Sequence, residues 1–238
     1  MTLQLIIARH ANTFESGETP RRVGACTDLN LTSRGREQSS QLGRAIASRF
    51  GQIEKIYAAP LLRTKQTADI AASEMTSPPS IETLDFLREI DHGPDENKSD
   101  ADIAARLGPQ ALALWDEELI MPDDWSPRPL DIVKSWQLFL HHIAQQTDSG
   151  QTAPQKTILV VTSNGIARFA PLAALCPIET LDDHTIPGHP NGAHGNASLA
   201  SLLSQLSLPS LKLATAAYGV MSYNDTKWTL IDWNKRPS

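Results

Sequence analysis

The chain opens on an uncharged run rich in branched apolar residues, Leu3 to Ala8, and then switches abruptly to Arg9-His10. A run of that kind without a polar face predicts a strand covered on both sides, as in a parallel sheet. Ile53 to Ala58 predicts a second strand, Ile81 to Leu84 a short third, and Lys156 to Thr162 the clearest strand in the chain. Between the first two the apolar period lengthens. Leu42, Ile46 and Phe50 recur at helical spacing behind Thr32 or Ser33, either of which would cap the helix, and a second helix runs from about Leu62 to Met75. The alternation β-α-β-α-β predicts an α/β fold, a three-layer sandwich with a mostly parallel central sheet flanked by helices.

From Asp95 to Gln146 strand signals vanish. The segments Ser99 to Leu107, Pro109 to Ile120 and Pro129 to Ala144 read as helices, broken by the stretch from Pro122 to Pro129. This predicts a helical excursion above the sheet, at about 95–146, within a single domain spanning 1–238. After the strand at Lys156 come a turn, Ser163-Asn164-Gly165, and a helix through about Leu175. A polar loop, Asp182 to Asn196, then leads to three strand-like stretches, Ala197 to Leu203, Leu211 to Tyr218 and Lys227 to Asp232.

Charge narrows the partners. With 21 basic and 27 acidic residues in 238, the net charge is −6, the wrong sign for coating nucleic acid or an anionic membrane. Any affinity for anions must be local. The first apolar run is too short to span a bilayer and lacks a basic leader, so a cytoplasmic protein is expected. Cys26 and Cys176 stand far apart and fit two free thiols in a reducing compartment. His184, His189 and His194 recur at intervals of five in a loop, a spacing unlike that of known zinc sites, so no metal is expected. One of the three, or His92, could reach a bound phosphate, but solvated loop residues are the plainer reading for all four.

Candidate chemistry starts at Arg9-His10, because ligands of open α/β sheets collect at the carboxyl ends of strands. Arginine supplies a fixed planar cation for phosphate oxygens, and histidine a nitrogen that is neutral and nucleophilic at physiological pH. A second segment, Ile56-Tyr57-Ala58-Ala59-Pro60-Leu61-Leu62-Arg63, again runs from a strand through a proline into a helix that opens with an arginine. A third, Leu87-Arg88-Glu89-Ile90-Asp91-His92-Gly93, brings a carboxylate to a turn. Together with Gly24, Asp28, Leu31-Thr32 and Gly35, these stretches resemble the histidine phosphatase superfamily, the group that includes the cofactor-dependent phosphoglycerate mutases. The similarity runs over roughly residues 3 to 175.

The resemblance implies a phosphoglycerate mutase-like fold and a metal-independent phosphomonoester hydrolase without a cofactor. His10 would take the phosphoryl group as phosphohistidine, Arg9 and Arg63 would grip the phosphoryl oxygens, and Glu89 would serve as general acid and base. Thr13 sits where the family carries a hydroxyl that donates to the phosphoryl group. Arg22 lies where a basic residue near the substrate is common, and Ser16 is a further candidate substrate contact. The rival carboxylates near Glu89 are Glu82, Asp91, Asp95 and Glu96. The substrate would be a small-molecule phosphomonoester or a phosphoprotein.

Two residues depart from the family pattern. Ala11 stands where glycine is usual, which is tolerable if its φ is negative. Ser163 stands where the family normally has a histidine that binds the phosphoryl group; Ser163 and Asn164 can donate hydrogen bonds there but supply no charge. The expected loss is about 1 to 3 kcal/mol of transition-state stabilisation. The alternative reading is therefore a catalytically impaired phosphoryl-binding or regulatory protein on the same fold. Mutase activity is disfavoured, since Phe14-Glu15-Ser16-Gly17 lacks the tryptophan that mutases place soon after the first histidine.

Overall fold

A computed structural model describes residues 2–146, 156–175, 193–206 and 208–237, the side chains of 193–198 excepted. Its centre is a six-stranded sheet in the order β3-β2-β4-β1-β5-β6. The strands are β1 Leu3–Arg9, β2 Lys55–Ala58, β3 Ile81–Thr83, β4 Lys156–Thr162, β5 Tyr218–Asn224 and β6 Lys227–Lys235. The first four run parallel, and β5 and β6 add an antiparallel edge on the far side of β1. Because β1 pairs with β4 in the register Arg9↔Thr162, the last residues of both strands lie side by side.

Alternate residues of β1 feed two different cores. Leu3, Leu5 and Ile7 face one side with Trp136, Leu140, Ile143 and Phe169, while Ile6 and Ala8 face the other with Leu42, Ile46, Ala68 and Ala72. The second face is covered by α1 (Ser33–Phe50) and α2 (Leu62–Ser73). The first is covered by α5 (Pro129–Gln145) and α7 (Ala170–Leu175) together with the excursion. Each buried Leu or Ile contributes about 1.5–3 kcal/mol through area removed from water, so β1 is fixed in position from both sides.

The excursion is helical, as expected, and its pieces are α3 (Asp100–Leu107), the single turn α4 (Ala111–Ala113) with a π-turn over Leu114–Glu118, and α5. Ser99 and Asp102 form a reciprocal capping box at the start of α3. Trp125 donates its indole N–H to Asp95 Oδ2 at 2.8 Å, and Trp136 donates to the Ile166 carbonyl at 2.9 Å. Both rings are buried, with their one polar atom satisfied.

The predicted strand at Ala197 to Leu203 is helix. It lies in α8 (Ala193–Gln205), which also takes up the end of the expected polar loop. Leu199, Leu202, Leu203 and Leu206 pack on the core at a helical interval, and no β-branched residue argues for extension. The stretch Leu211 to Tyr218 is strand only at its last residue, where β5 begins. Leu211 and Leu213 are buried at alternate positions, as in a strand, but their backbone groups go to side chains: Trp233 Nε1 donates to the Leu211 carbonyl, Arg9 to the Leu213 carbonyl, and the Leu213 N–H reaches Asn164. The single predicted helix after β4 is broken into α6 (Asn164–Ala167) and α7. Cys176, His184 and His189 lie outside the described residues, as does the side chain of His194.

Thr32, rather than Ser33, caps α1. Its hydroxyl accepts from Gly35 N at 3.0 Å and from Asn12 Nδ2 at 3.1 Å, tying the helix to the loop after β1. Thr32→Ala should lower unfolding stability by about 1 to 2 kcal/mol, read as a shift of the urea midpoint at unchanged slope, and Thr32→Ser should restore most of it.

Candidate active site

Every candidate residue on β1, β2 or β4 sits at the carboxyl end of its strand. β1 ends at Arg9 and hands over to His10, whose backbone N–H continues the ladder to the Thr162 carbonyl at 2.9 Å. β2 leads through Ala59, which still bonds Val161, to Arg63 in the first turn of α2. β4 ends at Thr162 and hands over to Ser163. Glu89 arrives from beyond β3 and the turn Asp85–Leu87. The Thr162 hydroxyl donates to the Leu87 carbonyl at 2.6 Å, which fixes that turn to the end of β4.

His10 is buried, and its Nδ1 lies 2.8 Å from the Ala11 carbonyl oxygen. A carbonyl only accepts, so Nδ1 carries the proton and Nε2 keeps its lone pair. Burial, then the charges of Arg63 and Arg9, hold the imidazole well below its ordinary value, with the Ala11 hydrogen bond pulling the other way. The ring is therefore neutral. Ala11 itself is outside the positive-φ region and its N–H reaches Thr67 Oγ1 at 3.1 Å, so the methyl group is accommodated without backbone strain.

Both arginines are held by main-chain carbonyls rather than by carboxylates. Arg63 is wholly buried; its Nη1 donates to the Thr27 carbonyl at 2.8 Å, and its Nη2 to the carbonyls of Gly24 at 2.9 Å and Val23 at 3.3 Å. Arg9 donates Nη1 to the Leu213 carbonyl at 2.9 Å. On each side chain the Nε–H is buried and has no partner, and so is the Ser163 hydroxyl. Burial pulls both guanidinium groups below the usual arginine value, while Glu89 pushes each back up. Three buried donors left open beside a neutral imidazole are what a tetrahedral oxyanion would satisfy.

Glu89 is buried against the turn after β4. Its Oε2 accepts from the Gly165 N–H at 3.1 Å and its Oε1 from the Ile90 N–H at 2.9 Å. Any Cβ at Gly165 would collide with that carboxylate. Of the rivals, Asp95 is spent on Arg106 and Trp125, and Glu96 on backbone N–H groups. Thr13 is half-buried on the loop after β1, and Ser16 is exposed. Arg22 is turned to the excursion, with Nε 2.9 Å from Asp100 and Nη2 3.4 Å from Asp116. The amide oxygen of Asn164 is taken by Leu213 N at 2.8 Å, so this side chain anchors the very peptide that holds Arg9.

His92 is not a solvated loop residue. It is buried edge-on against Trp125, ring centres 4.4 Å apart, with Nδ1 3.5 Å from Glu96. Its neighbours Trp125 and Glu96 are distant enough in sequence or pattern that nothing in the chain announces the pocket. Arg168, five residues past Ser163, was also not foreseen. It is buried over the Trp115 ring at 4.8 Å and donates to the Asp116 carbonyl at 2.6 Å, yet Nε and Nη1 find no partner. Burial brings it down to about 10 against the opposing pull of Asp116 and Glu89. A buried arginine leaves no signature in composition or period. Asp28, by contrast, was visible in the sequence and accepts from Leu62 N at 2.6 Å, supplying at the start of α2 the anion that Leu61 does not.

Residues 5–202 match the family model described as histidine phosphatase superfamily (branch 1). The chain belongs to that superfamily. No curated protein sequence matches it. Among solved structures, a mycobacterial glucosyl-3-phosphoglycerate phosphatase is similar at 20% identity and a TM-score of 0.72, over 98% of this chain and 99% of that one. Phosphoserine phosphatase from Entamoeba histolytica, in complex with 3-phosphoglyceric acid, is similar at 17% identity and a TM-score of 0.67, over 98% and 97%. Bacillus stearothermophilus YhfR is similar at 19% identity and a TM-score of 0.69, also over 98% and 97%. All three share the fold of this superfamily member, with its six-stranded, mostly parallel sheet between helices. Among the described residues no helix is long and apolar enough to cross a membrane.

The neutral His10 has a direct readout. Because its folded value lies below the unfolded one, the unfolded chain binds the proton first, and this group removes stability as pH falls below about 6.5. Nitrogen-15 NMR should find the His10 ring still neutral, with the proton on Nδ1, at pH 6. Titration of this ring near 6.5 would contradict the geometry.

Proposed function

We propose that this histidine phosphatase superfamily member hydrolyses small-molecule phosphomonoesters through a phosphohistidine on His10. The observation that supports the reading is the set of buried, unpartnered donors, Arg9 Nε, Arg63 Nε and the Ser163 hydroxyl, with the charges of both arginines acting on a His10 imidazole whose Nδ1 is engaged by the Ala11 carbonyl. Leaving such donors empty costs about 1–3 kcal/mol each, more when they are charged, and a phosphoryl group recovers it.

In this mechanism the equatorial phosphoryl oxygens take the three donors. His10 Nε2 attacks phosphorus in line, the ester P–O bond breaks, and Glu89 as the carboxylic acid gives its proton to the leaving oxygen. The Glu89 carboxylate then takes a proton from the incoming water, whose oxygen attacks phosphorus as the P–N bond breaks. Inorganic phosphate leaves and Glu89 is protonated again. The arginines do their work in both halves, since the charge on the transferring group is present throughout. No step requires a metal. Thr13, half-buried on the loop after β1, would add a fourth donor. The relatives named for phosphoglycerate- and phosphoserine-type substrates favour a small molecule over a phosphoprotein.

A second reading has its own observation. Ser163 is fully buried and uncharged at the corner where the family normally has a histidine, so turnover is weakened relative to phosphoryl binding.

The test is hydrolysis of p-nitrophenyl phosphate between pH 4 and 8 in the presence of chelator. We expect activity in the wild type, none in His10→Ala, and a loss of about a hundredfold in kcat/KM for Arg63→Ala, equivalent to about 3 kcal/mol. Ser163→His should raise kcat/KM by about five- to a hundredfold, equivalent to about 1 to 3 kcal/mol. A wild type that binds phosphate without turnover, together with turnover in Ser163→His, would establish the second reading instead.

A further inference from the structure

Arg63 is aimed by a segment that has no regular structure. All three of its carbonyl partners, Val23, Gly24 and Thr27, belong to the loop between β1 and α1. Where that loop goes, the guanidinium goes. Its own fixation comes from the stretch Ile90–Ser99: Ala25 N donates to the Ile90 carbonyl at 2.9 Å, Arg22 N to the Lys98 carbonyl at 2.9 Å, and Asn97 N to the Arg22 carbonyl at 2.7 Å.

Among the contacts that fix Gly24 itself, those of one side chain stand out. Glu96 Oε1 accepts from the Gly24 N–H at 2.8 Å, and Oε2 accepts from the His92 N–H at 3.3 Å with the His92 ring 3.5 Å away. The approach is so close that a Cβ at Gly24 would collide with Glu96 Oε2, the Ile90 carbonyl and His92 Nδ1. Glu96 itself is braced by its surroundings, since His92 packs edge-on against Trp125 and the preceding Asp95 is tied to Arg106 and Trp125. Burial opposes its ionisation, but hydrogen bonds from His92, Thr27 and the Gly24 N–H prevail and hold the carboxyl down at about 2. Its charge also reaches Arg63 and offsets part of the cost of burying that cation.

We infer that Glu96 is a positioning residue for phosphoryl binding: through the Gly24 peptide it sets where Arg63 presents its free Nε–H. The inference rests on Arg63 gripping the phosphoryl group, as proposed above. Glu96 touches no reacting atom. Its effect passes through one N–H and one carbonyl of neighbouring peptides, and a rigid chain of that length translates a small shift at the carboxylate into a misplaced donor. A displacement of about 1 Å at a positioned group is enough to cost about a hundredfold in rate.

A double-mutant cycle separates this from a merely structural role. Glu96→Ala and Glu96→Gln are each made in the wild-type and in the Arg63→Ala background, with kcat/KM for p-nitrophenyl phosphate and affinity for inorganic phosphate as readouts. Glu96→Gln keeps the shape, places an amide N–H against a backbone donor, and guards against misfolding of the alanine variant. In the wild-type background we expect losses of about tenfold for Glu96→Gln and about a hundredfold for Glu96→Ala. With Arg63 already gone, either change should cost less than about twofold, because the group it aims is absent. Equal losses in both backgrounds would overturn the inference while leaving Arg63 as a phosphate ligand. A wild type with neither phosphate binding nor hydrolysis would overturn both this inference and the reading it rests on.

Discussion

Two guanidinium charges, Arg9 half-buried and Arg63 wholly buried, are held by main-chain carbonyls with no carboxylate on their nitrogens. That is the constraint on which the rest of the molecule depends. A buried cation with incomplete compensation is unstable by several kcal/mol, and the protein keeps it by surrounding it with fixed dipoles. Glu89 lies within reach of both and is itself clamped by the N–H groups of Ile90 and Gly165, so it moderates the field without closing on either arginine. Burial, and after it the same field, keep His10 neutral. Electrostatic preorganisation here means that the site bears an unmet demand for negative charge before any ligand arrives.

What sustains that demand is the sheet. β1 has large apolar side chains packed on both faces, and its pairing with β4 brings Arg9 beside Thr162 with little freedom to slip, since a one-residue shift would turn every side chain to the wrong core. The helices that cover the faces leave the strand ends uncovered. Loops then gather there. Their positions follow from a few side chains that spend their polar atoms on backbone groups: Thr32 on Gly35, Asp28 on Leu62, Thr162 on Leu87, Asn164 on Leu213. None of these contacts is strong alone, yet each removes one way for a loop to wander.

Much of this was legible in the chain because it is encoded in local pattern. A two-sided apolar run betrays β1 and β4, and the helical stripe of Leu42 and Ile46 betrays α1. Arg9 and His10 stand out at the end of a strand and Arg63 at the start of a helix, while Glu89 is legible through the resemblance to the superfamily. The strand read at Lys227 to Asp232 is β6, whereas β5 and α8 are harder to read. Leu211 and Leu213 alternate like a strand, but their peptides are claimed by Trp233, Arg9 and Asn164, partners that no period reveals. The leucines of α8 read as extended chain because a short apolar stretch looks similar in either geometry. His92 and Arg168 leave no mark in the sequence as buried groups, since each is buried by residues brought together only in the fold.

The bond from Arg9 to the Leu213 carbonyl joins residues 204 positions apart. During synthesis, then, Arg9 and the histidine beside it emerge about 204 residues before the peptide that orients that arginine. β1 likewise waits for β4 and β5 before it has neighbours on either side. Such long-range closure slows folding, because the entropy of each large loop must be met before its contacts repay it. It also ties the site's geometry to that late peptide: a chain not yet made as far as Leu213 carries His10 without the hydrogen bond that orients Arg9.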